Sequence, residues 1–446
     1  MSSSMISERK VYYYIVSTIF TLQAIDAFGL IDRLVYGEWN FEAGSGDWIT
    51  QGLNLLMIAT SFLLFWSALR RRKITVGGLL ALAAISFLLF SALWSIDLQT
   101  TIRRAVLYLF AMIGMIGVVG SLDEDDVMGM LRMTCGLCAA ASIVLLVISP
   151  SNALMTDMPG LRGIFPHKNV LGQVMAVGVL ANLHIMRVRN GRRLFNTLML
   201  FLFIIVAFLS KSSTAMLVIF ACCAVSGVVA LFRKGNLARL VGVFLIMFLV
   251  PIVAIVAPNP DLLLEVIGKD PTLTGRTELW SYVRYYIDES PTLGWGYSAF
   301  WSTANPAAKQ INVALGWFIP EAHNGLLELL LEAGIVGTAF FAILWARNVV
   351  LALRCINTSS IECGISSLLW CGAIFMVGIT EPVLLDYSQG LTLGFFLTGL
   401  MCEKALRDAQ RRRYPNTLRV IRRVIPTPAS RISFPGNSTA GRLLGM

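Results

Sequence analysis

The chain has 446 residues, 56% of them hydrophobic and 14% charged, with a mean hydropathy of +0.72, whereas soluble domains carry about 25% charged residues. That composition excludes a water-soluble globular or disordered protein and leaves an integral membrane protein. The net charge of +10 does not point to nucleic acid. The excess lies in short loops and in a tail running from Lys404 through Arg411, Arg412, Arg413, Arg422 and Arg423, where the anionic inner leaflet of the bilayer is the simpler partner.

Crossing the hydrocarbon as a helix takes about 20 apolar residues, because every backbone polar group must be satisfied inside the segment. In chain order, twelve stretches meet that requirement: 11–31, 48–69, 74–94, 103–121, 127–148, 168–187, 194–210, 213–232, 237–257, 325–350, 362–380 and 387–403. The first is too long for a secretory signal and lacks its small-residue cleavage site, so it reads as a retained span. Asp26 within it caps or pairs with another helix on this reading, without a catalytic role. The expectation is an all-α polytopic membrane protein of about 12 transmembrane helices.

Loops rich in lysine and arginine stay in the cytoplasm. Arg70, Arg71, Arg72 and Lys73, then Arg187, Arg189, Arg192 and Arg193, then Arg233, Lys234 and Arg239 fall on alternate loops. Both termini are therefore expected in the cytoplasm. Residues 1–403 form the membrane domain, with one long periplasmic loop at about 258–324, and 404–446 form a basic tail in which Pro415, Pro426 and Pro428 favour partial disorder.

All eight cysteines map to spans or cytoplasmic loops, which speaks against a disulfide framework. Cys135 and Cys138 have CxxC spacing, but Gly136, Ala139 and Ala140 around them point to close helix packing. Asp123, Glu124, Asp125 and Asp126 precede a membrane helix and read as an acidic N-terminal cap rather than a metal cluster.

Positive charge on the outer face opposes the topology rule and asks for a local reason. Arg103 and Arg104 open the fourth span after WSIDLQTT. Arg162 and Lys168 flank RGIFPHKN, which also holds His167. Arg276 lies in the long loop, in GRTELWSYVRYYIDESPTLGWG. There Leu279, Trp280, Val283, Tyr286 and Ile287 recur at helical spacing, predicting an amphipathic helix along the membrane surface. Gly275, Gly294 and Gly296 punctuate it, and Arg276 falls in its first turn, where backbone N–H groups favour an anion.

Guanidinium groups match phosphate oxygens bidentately and stay charged at any physiological pH. Several at one membrane face predict a phosphorylated, lipid-linked ligand. A polyprenyl diphosphate sugar has a built-in leaving group whose departure fixed arginines can stabilise without a metal. The acceptor hydroxyl then needs a base. His323 stands where the polar loop turns into the membrane helix at HNGLLELLLEAGIVG, and it either takes that proton or orients the acceptor while a carboxylate takes it. Glu328 and Glu332 follow on the same helix. Glu381, with Asp386 in TEPVLLDYSQG, is the second catalytic candidate, since a carboxylate in a membrane helix is costly enough to suggest a use, with structural pairing to an arginine an equal competitor. Asn324 and His167 are further candidates, the latter equally suited to fixing its loop. His184, beside Arg187, reads as structural.

The strings SALWSIDLQTTIRRA, RGIFPHKNVLGQ, GRTELW with PTLGWGYSAFW, and AHNGLLELLLEAGIVG, in that order at outer helix ends, resemble the O-antigen ligase and Wzy polymerase superfamily, and among it the exopolysaccharide polymerases of the succinoglycan type. The likeness covers roughly residues 48–400. It implies a GT-C-like fold and a metal-independent, inverting glycosyltransferase with no cofactor. The implied substrate is an undecaprenyl diphosphate-linked oligosaccharide at the periplasmic face of a bacterial inner membrane.

The resemblance places the family arginines at Arg162 and Arg276 and the family histidine at His323, with Lys168 and Arg103 as further diphosphate ligands. Besides the lipid bilayer, a flippase and a chain-length regulator of a polysaccharide export system are the partners it raises. Polymerase and ligase differ in acceptor, another lipid-linked repeat or lipid A core, and the HKN segment favours the polymerase. A transporter, of polysaccharide or small anions, and a noncatalytic export scaffold are the readings of other classes.

Overall fold

The structure, a computed structural model, describes residues 3–25, 27, 48–71, 73–156, 158–188, 191–232, 276–384, 386 and 388–413. Helices α1 (Ser3–Ala24), α2 (Trp48–Arg70), α3 (Val76–Phe90), α4 (Leu98–Ser121), α5 (Glu124–Ile148), α6 (Lys168–Val188), α7 (Arg193–Ser210) and α8 (Ser213–Phe232) precede the loop region. Two shorter helices, α9 (Arg276–Glu289) and α10 (Pro306–Leu315), are followed by α11 (Gly325–Ile356), α12 (Ile361–Gly378) and α13 (Gly390–Arg413). Among the described residues, nine helices are long and apolar enough to cross a membrane: α2 to α8, α11 and α12. The only extended pairing there is an isolated bridge between Leu154 and Leu161. The chain is an all-α polytopic membrane protein.

Polar side chains start several helices by accepting from otherwise unbonded N–H groups. Asp97 Oδ1 accepts from Thr100 N at 3.1 Å, so α4 begins five residues earlier than hydropathy alone indicated, and Arg103 and Arg104 fall in its second turn. Glu124, Asp125 and Asp126 occupy the first turn of α5, as expected of an acidic cap, and Asp126 pairs with Lys10 at 2.7 Å. Helices α4 and α6 form the centre, buried along most of their length. Small residues permit this: a Cβ at Gly117 of α4 would stand 2.5 Å from the Leu64 backbone of α2. Cys135 and Cys138 are buried and unbridged, and His184 is fully buried against Ser366 and Asp125.

Three expectations change. The span expected at 325–350 is interrupted at Gly334, whose φ of 62° and ψ of −169° are non-helical. A Cβ there would lie 2.3 Å from the Thr292 carbonyl oxygen. Loop 291–296 fills the break: Ile335 N donates to Pro291 O (2.8 Å), Trp295 N to Leu331 O (2.9 Å) and Gly296 N to Glu332 O (3.0 Å). The last helix continues through the expected tail boundary to Arg413. The amphipathic helix, α9, buries Leu279 and Val283 against protein, in a small separate core with Phe300, Ile311, Ile319, Ala322 and Leu331. The stripe expected to meet lipid is thus covered by its own lobe, residues 276–322. The expected span 237–257, Asp26, loop residues 258–275 and tail residues 414–446 lie outside the described residues.

The lobe sits at one end of the bundle. Thr101 in the first turn of α4 donates to Tyr297 O at 2.8 Å, whereas Ser121 in its last turn meets Ser67 near the end of α2 at 3.4 Å. Arg70 and the lobe are therefore at opposite ends.

Candidate active site

The lobe core fixes a short connector, residues 319–324, against the start of α11. Both backbone groups of Ala322 are held: its carbonyl accepts from the Trp280 indole at 3.0 Å and its N–H donates to Glu328 Oε2 at 2.6 Å. Asn324 then caps α11, its Oδ1 accepting from Leu326 N and Leu327 N at 3.1 Å each, and its amide donates to Ile379 O at 3.2 Å. Between these anchors His323 adopts a left-handed φ of 50°, which costs a non-glycine residue about 1–2 kcal/mol. The anchoring carries that cost and aims the imidazole at two carboxylates.

His323 Nδ1 lies 3.0 Å from Glu321 Oε1 and 3.9 Å from Glu381 Oε2. The side chains are 20%, 28% and 11% exposed respectively for His323, Glu321 and Glu381, so the group is sheltered yet reachable. Trp317 stacks on the imidazole with centroids 6.1 Å apart and 22° between planes, a face that favours a cation. Burial opposes charge on His323, but its contacts with Glu321 and Glu381 and their charges outweigh it and hold its pKa up at about 9. Burial, with the nearby Glu381 charge, pushes Glu321 up to about 7, against the His323 contact. Burial also works against ionised Glu381, yet His323, Glu321 and Arg276 together keep its pKa below the usual value.

Glu381 joins this group to two other segments. Its Oε1 accepts from Asn169 Nδ2 at 2.9 Å, which brings in the HKN segment at the start of α6. Arg276, at the start of α9, donates from Nη1 to Thr380 O at 3.3 Å and its charge acts on Glu381. A guanidinium has five N–H donors, and among the described residues this is the one hydrogen bond that half-buried Arg276 makes.

The structure thus brings together His323, Glu381, Arg276 and Asn324. His167 accepts from Asn169 N at 3.2 Å through Nδ1, shaping the turn that delivers Asn169. Lys168 Nζ donates to Pro159 O at 3.2 Å and Arg162 Nε to Asn152 O at 3.3 Å, bonds that tie both to loop 150–163. Arg103 acts on Asp97 at the start of α4, and its neighbour Arg104 bonds Ser298 of the lobe. Asp386 organises its own loop through Ser388 and Gln389.

Two members were not singled out by sequence reasoning. Glu321 was visible only as an acid two residues before the histidine, a spacing that means nothing until the connector turns at φ 50°. Asn169 sat in the motif, but its partner lies 212 positions away. Among the described residues, Glu321, His323 and Glu381 are also the one group able to hold a metal ion, their donor atoms all within 4.8 Å of one another. A cation and an imidazolium proton compete for that same space.

Comparison with known proteins finds two similarities. Residues 198–342, which include Arg276, Glu321 and His323, match the O-antigen ligase family, Wzy_C. The chain is 25% identical over 339 residues to the exopolysaccharide production protein ExoQ of Rhizobium meliloti (strain 1021), across 70% of this chain and 74% of that one. The chain is thus similar to the O-antigen ligase family over residues 198–342 and to an exopolysaccharide production protein over 70% of its length.

Proposed function

We propose that the protein is an exopolysaccharide polymerase that transfers an undecaprenyl diphosphate-linked oligosaccharide to the end of another lipid-linked repeat unit, at the periplasmic face of a bacterial inner membrane. The observation that carries this reading is the Glu321, His323 and Glu381 group with the Arg276 charge beside it. The architecture on this reading is GT-C-like with about twelve spans and cytoplasmic termini.

The acceptor hydroxyl attacks the anomeric carbon of the donor sugar. The C–O bond to the diphosphate breaks, its electron pair leaves on undecaprenyl diphosphate, and a single displacement inverts the anomeric centre. An imidazolium with a pKa of about 9 is a poor proton acceptor at neutral pH, so of the two roles open to His323 the geometry supports orienting the acceptor by hydrogen bonding. Glu321, poised at about 7, matches the base, and Glu381 holds the imidazolium in place. Arg276, with Arg162, Lys168 and Arg103 as further ligands, neutralises charge developing on the diphosphate. A proton fills the centre of the group in this scheme, and no metal is required.

The printed family, O-antigen ligase, supports transfer to lipid A core as a second reading, while the relative's name, exopolysaccharide production protein, supports the polymerase. A transporter would use the broken helix at Gly334, but here both sides of the break are bonded to loop 291–296. Purified protein given lipid-linked repeat units and no core acceptor decides the matter. Elongation establishes the polymerase; transfer confined to added lipid A core replaces it with the ligase.

A further inference from the structure

At the end of the bundle opposite the lobe, α1 and α2 border an open groove of about 640 Å³ lined by Tyr12, Tyr13, Leu63, Trp66, Arg70 and Arg71. The Arg70 guanidinium lies 5.0 Å over the Trp66 ring and that of Arg71 lies 4.9 Å over the Tyr13 ring. Both arginines are exposed, and among the described residues neither has a carboxylate partner. Each guanidinium thus rests on an aromatic ring at the groove, and guanidinium N–H groups match phosphate oxygens. One to two turns toward the bilayer interior, Ile15 and Ile19 of α1 and Phe62 and Leu63 of α2 are exposed apolar side chains. A headgroup-sized recess edged by two guanidiniums therefore continues into an apolar face.

We infer that this groove binds an anionic phospholipid, its phosphodiester on Arg70 and Arg71, its glycerol against Tyr12 and Trp66, and its acyl chains along the exposed faces of α1 and α2. Free phosphate offers the same oxygens but nothing for the apolar continuation, and phosphatidylcholine brings its own cation to two arginines without a carboxylate partner among the described residues. Aromatic residues at the membrane boundary suit the interface between headgroup and chain. The site is remote from the His323 group, so it stands or falls separately from the proposed reaction.

The test uses the full-length protein in bilayer discs of equal phosphatidylglycerol and phosphatidylcholine, with retained lipids counted by native mass spectrometry. Wild type is expected to retain phosphatidylglycerol over phosphatidylcholine, a preference that weakens at high salt. The Arg70→Gln/Arg71→Gln double variant should lose occupancy by about tenfold or more, given the contribution of each arginine near an anionic surface. Arg192→Gln/Arg193→Gln, which removes as much charge from another loop, should retain it. Equal retention of the two lipids by wild type, or unchanged occupancy in the Arg70/Arg71 variant, overturns the inference. Displacement of the lipid by excess inorganic phosphate also overturns it, making this a free-anion site.

Discussion

Replacing Glu321 with Gln removes the carboxylate 3.0 Å from His323 Nδ1 while keeping shape and volume. Burial would by itself push the imidazole below its usual value, so a pKa near 9 depends on both acids. With one gone, Glu381 at 3.9 Å is left against unchanged desolvation, and the His323 pKa is expected to fall by about one unit or more, about 1.4 kcal/mol per unit. The protein has only three histidines, so isotope-labelled imidazole resonances in detergent, assigned by substituting each in turn, report this directly. Wild-type His323 should titrate well above neutrality and the Glu321→Gln variant distinctly lower, with His167 unmoved. A wild-type midpoint at or below 6.5, or an identical midpoint in the variant, would refute the charge arrangement whatever the activity proves to be.

Arg276→Ala is expected to cost about 10²–10³ in turnover, the scale of one lost group at a developing oxyanion, and Arg276→Lys should also be impaired because an ammonium cannot bind bidentately; normal polymer from Arg276→Ala would point to a scaffold. Turnover should rise with pH through about 7 as Glu321 ionises and fall as pH passes about 9 and His323 loses its proton. A rate that keeps climbing beyond pH 10 would instead make neutral imidazole the base. Gly334→Ala forces a side chain to within 2.3 Å of the Thr292 carbonyl at a positive φ, and a loss of about 2 kcal/mol or more should appear as a lowered melting temperature; an unchanged one would contradict the described break. Removing divalent cations with a chelator should leave elongation intact, and loss restored by added metal would assign the Glu321, His323 and Glu381 group to a cation. Phe318, 51% exposed on the lobe, as Phe318→Cys should react with an impermeant thiol reagent from the periplasmic side, and labelling only from the cytosol would invert the topology.

The membrane class and most spans were legible because apolar length is a local property. Spans such as 168–187 and 213–232 agree with α6 and α8 to within a residue. The break at Gly334 was not legible, since the string LLELLLEAGIVG is apolar throughout and the interruption depends on loop 291–296 supplying partners for the freed backbone groups. The lobe was half legible: helical spacing gave α9, but the face assigned to lipid is covered by Phe300 and Ile311 from later in the chain. At the site, His323, Glu381 and Arg276 stood out by residue type against an apolar background. Which of the two roles open to His323 applies was not legible, because a pKa is set by neighbours in space, and Glu321 acquires its position only through the turn that Trp280 and Glu328 impose on Ala322.

The most direct measurement of the central claim is chain elongation by purified protein on lipid-linked repeat units, compared between wild type and His323→Ala at equal folded amounts. Wild type should build a ladder of lengthening products, and the variant should leave the substrate unextended while still inserting in the membrane. A full-length ladder from His323→Ala would contradict the account.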